Sequence, residues 1–145
     1  MKVVYVNEKW CLGCHLCEYE CAFANSGERD IVRALKDRVI HPRIRVEDGD
    51  GVHFAVNCRH CSDALCVKSC IAGALSRDEH GTVVIDKNKC VGCFTCVTVC
   101  PYGAIMPDAD GTAAQKCTLC TENAMGEPNC VRHCINNAIV FEDRG

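Results

Sequence analysis

Sixteen of the 145 residues are cysteine, and they fall into four sets of four with none left over. The first set, Cys11, Cys14, Cys17 and Cys21, and the third, Cys90, Cys93, Cys96 and Cys100, both read C-x2-C-x2-C-x3-C. The second, Cys58, Cys61, Cys66 and Cys70, widens the middle gap to four residues, and the fourth, Cys117, Cys120, Cys130 and Cys134, widens it to nine. Thiols at this density can join as disulfides, hold zinc or hold iron–sulfur clusters. Disulfides need an oxidising compartment and impose no rule that cysteines recur two or three residues apart. No charged and apolar leader fits before Cys11, so export is not expected. Zinc sites use two pairs, which would leave the third thiolate of each tight run idle. A cubane cluster needs four thiolates: C-x2-C-x2-C wraps three around it, and the cysteine after x3 points to the other cluster of a pair. The spacing therefore predicts four [4Fe–4S] clusters, with all sixteen cysteines as ligands through iron.

The flanking residues fit this chemistry. Gly13 and Gly92 precede the second cysteine of each tight set, where a bare backbone can approach a cluster and aim N–H groups at its sulfurs. Pro101 after Cys100 completes the bacterial ferredoxin run, whereas Ala22, Ile71 and Ile135 follow the other three closing cysteines. His15, His60 and His133 lie beside ligands, but the cysteines already fill four sites, so these histidines are expected around the clusters and not on them. Trp10 is expected to exclude water from the first cluster. Asp108-Ala109-Asp110-Gly111 hints at a calcium loop, but its glycine comes too early and Leu119 stands where the terminal Glu belongs, so it reads as a turn.

Short strands must position the four sets. Thr82 to Asp86 is β-branched and leads into Cys90, and Ala74-Leu75-Ser76 precedes a polar turn at Asp78-Glu79-His80-Gly81, which together read as a hairpin joining sets two and three. Val3 to Val6 leads into Cys11 in the same way, and Ala138 to Phe141 follows Cys134. Sets two and three then form one ferredoxin-like unit, and sets one and four form an outer unit whose hairpin strands stand at the chain ends. A competing hairpin, Ala104-Ile105-Met106 to Ala113-Ala114, would join sets three and four, but its second arm is poor in β-formers. Under the nested scheme the outer clusters take Cys11, Cys14, Cys17 with Cys134, and Cys117, Cys120, Cys130 with Cys21. The inner ones take Cys58, Cys61, Cys66 with Cys100, and Cys90, Cys93, Cys96 with Cys70. Between Cys21 and Cys58 the sequence predicts a helix from Glu28 to Arg38, with Ile31, Val32, Leu35 and Val39 on one side. A hairpin follows, Ile44 to Val46 and Val52 to Val56 around Asp48-Gly49-Asp50-Gly51. This insertion is expected to shield the first cluster from water, with a docking surface for a partner as the other reading.

The expected fold is α+β: two nested bacterial-type 2[4Fe–4S] units, pseudo-duplicated, with a small helix/hairpin insertion in one compact domain. The outer unit covers residues 1–26 and 106–145, the insertion 27–56 and the inner unit 57–105. With 16 Lys and Arg against 19 Asp and Glu, and the bases scattered, there is no stripe of the kind that tracks nucleic acid. Cysteine, glycine or charge interrupts every apolar run well short of the ~20 residues that span a bilayer. Neither GxGxxG nor a P-loop is present, and no C-x3-C-x2-C stands apart from the four sets, so dinucleotide, ATP and radical chemistry lack a motif.

On Cys11-x-Gly-Cys14, Cys58-Arg59-His60-Cys61 with the gap to Cys66, Cys90-Val91-Gly92-Cys93 and Lys116-Cys117-Thr118-Leu119-Cys120, nearly the whole chain resembles the four-cluster iron–sulfur subunits of molybdopterin oxidoreductases, formate dehydrogenases and hydrogenases. Its length and Cys70-Ile71-Ala72-Gly73-Ala74-Leu75 look most like the ferredoxin-like partner of carbon monoxide dehydrogenase. The resemblance implies a cytoplasmic, non-catalytic subunit. It would relay single electrons between a metalloenzyme (CO dehydrogenase, a tungsten or molybdenum aldehyde or formate oxidoreductase, or a hydrogenase) and a flavin/NAD-linked or ferredoxin acceptor. Similar subunits in some complexes polymerise into filaments. The readings from other classes are a zinc-stabilised structural adaptor and an iron–sulfur redox sensor; a sensor should carry an effector or DNA-binding segment, and none is visible.

Overall fold

The structure is a computed structural model and describes residues 1–36, 39, 41–120 and 127–143. Its strands form four two-stranded antiparallel sheets: β1 (Val3–Val6) with β8 (Ile139–Glu142), β2 (Arg45–Gly49) with β3 (Val52–Val56), β4 (Leu75–Arg77) with β5 (Val83–Ile85), and β6 (Met106–Pro107) with β7 (Ala114–Gln115). Helices and strands are mixed along the chain, an α+β arrangement.

Two sheets deliver the tight cysteine sets, and they do so with matching hydrogen bonds. β1 runs against β8 in the register Val3↔Glu142 to Val6↔Ile139, and β4 against β5 from Leu75↔Ile85 to Arg77↔Val83. Just past the pairing, Asn7 N–H donates to the Ala138 carbonyl at 2.7 Å, as Asp86 N–H donates to that of Ala74 at 2.8 Å. The side-chain oxygen of each then accepts two residues on, from Lys9 and from Asn88, both at 3.0 Å. These side-chain turns bring Cys11 and Cys90 in at the same point, their amides bonded to the Asn7 and Asp86 carbonyls at 3.2 and 3.1 Å.

The hairpin between sets three and four, disfavoured on strand propensity, does form, with Met106↔Gln115 and Pro107↔Ala114 paired. Its turn chemistry decides this. Asp108-x-x-Gly111-Thr112 repeats Asp78-x-x-Gly81-Thr82 of the β4–β5 hairpin. In each, the aspartate carboxylate accepts from the threonine amide, at 3.2 and 2.9 Å, and the glycine amide donates to the aspartate carbonyl at 3.1 Å. A turn that holds itself needs little from its arms.

Four helices start inside cysteine sets: α1 (Leu16–Ala24), α3 (Leu65–Ser69), α4 (Thr95–Val99) and α5 (Asn129–Arg132). α1 packs on α5 and α3 on α4, so the helices pair first set with fourth and second with third. The remaining helix, α2 (Ile31–Leu35), is shorter than the sequence suggested, starting after Asp30, whose carboxylate caps the Val32 amide at 3.0 Å. Asp37 and Arg38 lie outside the described residues. The expected apolar face does not turn inward: Ile31, Val32 and Val39 are exposed and Ala34 is the buried residue. Leu35 is half-buried, and α2, barely more than one turn long, packs beside α1. The hairpin that follows takes a tight two-residue turn at Asp50-Gly51, both with positive φ (48° and 79°), which matches strand twist.

The apolar core is in two parts. Val4, Ile44, Val46, Ala55, Leu119 and Ile139 gather around Cys17, Cys21 and Cys130, while Ala64, Leu75, Val83, Ile105 and Ala114 gather around Cys96. The glycines of the tight sets are required sterically. Gly13 (φ +68°) lies under the His53 ring, and Gly92 (φ +76°) lies under the Thr112 carbonyl; an added Cβ would come within 2.6 Å of either. A ring can swing aside, but a carbonyl inside a bonded turn cannot. Gly92→Ala should therefore cost more than Gly13→Ala, each carrying about 1–2 kcal/mol for the left-handed backbone, and thermal bleaching of the anaerobic protein should rank them in that order.

Candidate metal centres

The sixteen cysteines line four small, partly open cavities of ≈ 20 to ≈ 30 Å³. Each is walled by four cysteines drawn from two sets. Cys11, Cys14 and Cys17 face Cys134, and Cys117, Cys120 and Cys130 face Cys21. Cys58, Cys61 and Cys66 face Cys100, and Cys90, Cys93 and Cys96 face Cys70. The groupings coincide with the nested scheme even though the β6–β7 hairpin is present. Among the described residues no three His, Cys, Asp or Glu side chains converge tightly enough for a single metal ion. Three cysteines from one loop and a fourth from another set around each cavity match the ligand pattern of a [4Fe–4S] cubane.

Backbone amides converge on these sulfurs. In the wider sets the N–H two residues after the first cysteine donates to it, His60 to Cys58 at 3.4 Å and Leu119 to Cys117 at 3.3 Å. The loop turns there through positive φ at Gly13, His60, Gly92 and Leu119, the residue before the second cysteine in all four sets. On the closing cysteines, Ala74 N–H reaches Cys70 and Ala138 N–H reaches Cys134, both at 3.3 Å. Cys21 departs from this pattern because α1 runs on to Ala24, and its amide comes from the insertion, Arg43 N–H at 3.1 Å. Arg43 and Ile44 line the cavity that Cys21 closes and Val46 lines that of Cys11, so the insertion walls both outer cavities.

Burial and these donors pull the thiols in opposite directions. Burial pushes Cys17 and Cys117 up to about 12, and raises Cys21, Cys66, Cys96 and Cys130. At Cys70 burial is outweighed by the amides of Leu75, Ala74, Ala72 and Gly73, and at Cys93 the Thr95 amide and hydroxyl lower the value. Burial keeps these six raised thiols protonated, so a metal must displace those protons as it binds.

The three histidines differ. His15 is half-buried beside Glu18 (3.2 Å), and His133 Nδ1 lies 2.9 Å from the Asn129 carbonyl, at the C-terminal end of α5. His60 is buried and lines the Cys58 cavity, with Nδ1 accepting from Val83 N–H at 3.1 Å and Nε2 left without a partner. Trp10 does not cover the first cavity: it is 54% exposed and is not among the residues lining the Cys11 cavity, and its carbonyl accepts from Asn136. Sequence reasoning missed Lys116, which is buried with its ammonium on the Val83 and Cys117 carbonyls, and Asn57, which is buried with its amide on the Val4 and Cys58 carbonyls. A lysine directly before a cysteine set was the one available signal.

Residues 50–144 match the family described as 4Fe-4S dicluster domain. The chain belongs to this ferredoxin-like iron–sulfur family. It is 36% identical to an iron-sulfur protein of Rhodospirillum rubrum, over 97% of this chain and 82% of that protein. It is also 36% identical to the electron transport protein HydN of Escherichia coli K12, over 92% and 83% respectively. The putative oxidoreductase AegA of E. coli K12 is 37% identical over 95% of this chain, which spans only 21% of AegA's length. [4Fe–4S] centres and electron transport are thus the family's chemistry.

In this ferredoxin-like chain His60 stays neutral, because burial, then the charges of Lys116 and Arg77, lower it from 6.5 to about 3, with Asp78 opposing. The unfolded chain takes up this proton near pH 6.5 and the folded chain only near 3, so the associated stability is present above pH 6.5 and lost as pH falls towards 3. Gln can accept the same Val83 bond without titrating. His60→Gln should move the midpoint of acid bleaching of the loaded protein to lower pH.

Proposed function

We propose that the chain holds four [4Fe–4S] clusters on its sixteen cysteines and relays single electrons between a catalytic redox enzyme and a second carrier, with no substrate of its own. One observation carries this reading: each of four cavities is lined by four cysteines, three from one set and one from another. We read the four as an ordered series, because Cys17 is near enough to act on Cys130, Cys58 on Cys117 and Cys66 on Cys96. Cys14 and Cys93, at the two ends, are the exposed cysteines.

When bound, the clusters supply reversible one-electron chemistry. The chain's own residues hold them in line, wall them from water with apolar side chains, and direct amide N–H groups at the sulfurs. Exposed Leu12 and Ile135 flank the Cys14 end, and Val91 and Ile71 the Cys93 end. Each end thus offers a small apolar collar to a redox partner. The partner reading, a CO dehydrogenase, a tungsten or molybdenum oxidoreductase or a hydrogenase on one side and a flavoprotein or soluble carrier on the other, rests on the family resemblance. Among the described residues no helix is long and apolar enough to cross a membrane; cytoplasmic placement is part of the proposal.

The same reading treats the fold as two nested, pseudo-duplicated ferredoxin units, outer 1–26 with 106–145 and inner 57–105, around the insertion 27–56. The matched turns before Cys11 and Cys90, the matched amides on Cys70 and Cys134, and the two-part core support it. Against a zinc adaptor stands the third cysteine of each tight run, which a site built from two pairs would leave idle.

Anaerobically prepared protein should hold about sixteen iron and as many sulfides, give reduced EPR spectra broadened by coupling between neighbours, and turn over neither CO, formate nor aldehyde. Four isolated signals, or a colourless zinc protein, would sink the reading. Cys21→Ser should damage the cluster of Cys117, Cys120 and Cys130 and spare the inner pair; damage to the Cys58, Cys61 and Cys66 cluster instead would refute the assignment of closing ligands.

A further inference from the structure

Lys116 is 2% exposed, and its ammonium donates to the Cys117 carbonyl at 2.7 Å and to the Val83 carbonyl. Those two acceptors sit on opposite sides of a junction. Cys117 walls the cavity closed by Cys21, and Val83 lines the cavity of Cys58, Cys61, Cys66 and Cys100. Among the described residues no carboxylate pairs with Lys116. A neutral amide could satisfy two carbonyls at far lower desolvation cost, so hydrogen bonding alone does not explain a buried cation. The neighbouring histidine does not supply the missing anion, since His60 is held neutral. Once iron displaces their protons, the sulfurs of the two flanking sets become the anionic groups beside it, and Lys116 lies close enough to act on both Cys66 and Cys117.

We propose that Lys116 is a positioning residue for electron transfer, a cation shared by the two middle clusters, those of Cys58 and Cys117, that raises the reduction potential of both. The inference rests on the four-cluster reading. A cubane with four thiolates is a dianion when oxidised and a trianion when reduced, so a fixed cation stabilises the reduced form more than the oxidised one. Placed at the junction, one ammonium acts on both middle clusters and much less on the end clusters, which lie a full cavity away. It keeps the middle of the row from becoming an uphill gap between the two ends.

The test uses the full chain, loaded anaerobically, with potentials read by EPR-monitored titration and clusters assigned through the Cys→Ser variants. Lys116→Gln keeps a donor and removes the charge, and Lys116→Arg keeps the charge and changes the shape. The expected result is that Lys116→Gln lowers the reduction equilibrium constant of both middle clusters at least tenfold, about 59 mV each for one electron, while the end clusters hold and Lys116→Arg stays closer to wild type. If Lys116→Gln cannot keep its iron but Lys116→Arg does, the requirement for charge is upheld. The proposal is overturned if Lys116→Gln keeps its iron with unchanged potentials, if all four clusters shift together, or if both variants lose iron alike, which would make Lys116 a packing peg. Failure of the underlying reading is separate: wild-type protein would then hold fewer than four clusters.

Discussion

A loop of the form C-x2-C-x2-C reaches three corners of a cubane and no more. The fourth corner must come from another segment, and the architecture follows from that need. Each closing cysteine lies at or just past the helix that its own set begins, on the side away from its own loop, so helices have to meet in pairs. α1 lies on α5 and α3 on α4. Strands bring the loops to the same place: β4–β5 spans the inner pair locally, while β1–β8 does the same work from opposite ends of the sequence. The sulfurs are also core residues, buried among Val4, Ile44 and Ile139 or around Leu75, Val83 and Ile105. In so small a chain the metal sites and the core are one body, and removing either loosens the other.

Between the two halves the packing changes character. Apolar side chains fill each half, but the seam is built from Asn57, Arg59, His60 and Lys116. Asn57 ties β1 to the start of the second set through Val4 and Cys58. The Arg59 guanidinium lies over Tyr5 of β1 at 5.8 Å and over Tyr102 after the third set at 5.5 Å. His60 and Lys116 take the amide and the carbonyl of Val83, the edge that β5 turns away from β4. Polar groups with fixed partners set one relative placement of the halves, where apolar surfaces would tolerate sliding. For charge transfer over short gaps that placement matters more than the stability gained.

Much of this was legible in the sequence because cysteine spacing is a chemical ruler. The strands flanking Cys11 and Cys90 and the insertion hairpin read correctly from local pattern. Other features depended on what lay opposite. Ile31, Val32 and Val39 show helical periodicity, yet the helix is too short to bury them, and Ala34 does the packing. The β6–β7 pairing was under-rated by counting β-formers, although Asp108 and Thr112 repeat the turn already recognised at Asp78 and Thr82. Trp10 looked like a lid by size and is half open to solvent. Lys116 was invisible as a core residue because nothing in its own segment says it will be buried; the burial is made by β5, which is distant in sequence.

The pairing of β1 with β8 also sets a timetable for manufacture. A chain leaving the ribosome displays Cys11, Cys14, Cys17 and Cys21 first, but their cavities stay open until Cys134 and the run from Cys117 to Cys130 have emerged. The inner half, by contrast, can close once Cys100 is out. For most of synthesis the first four thiols wait unpaired, while domains generally fold in the order they appear. Of the four sets, the one made first is thus sealed only with the last, and during that interval its thiols are open to oxygen, stray metal and any assembly factor that reaches them.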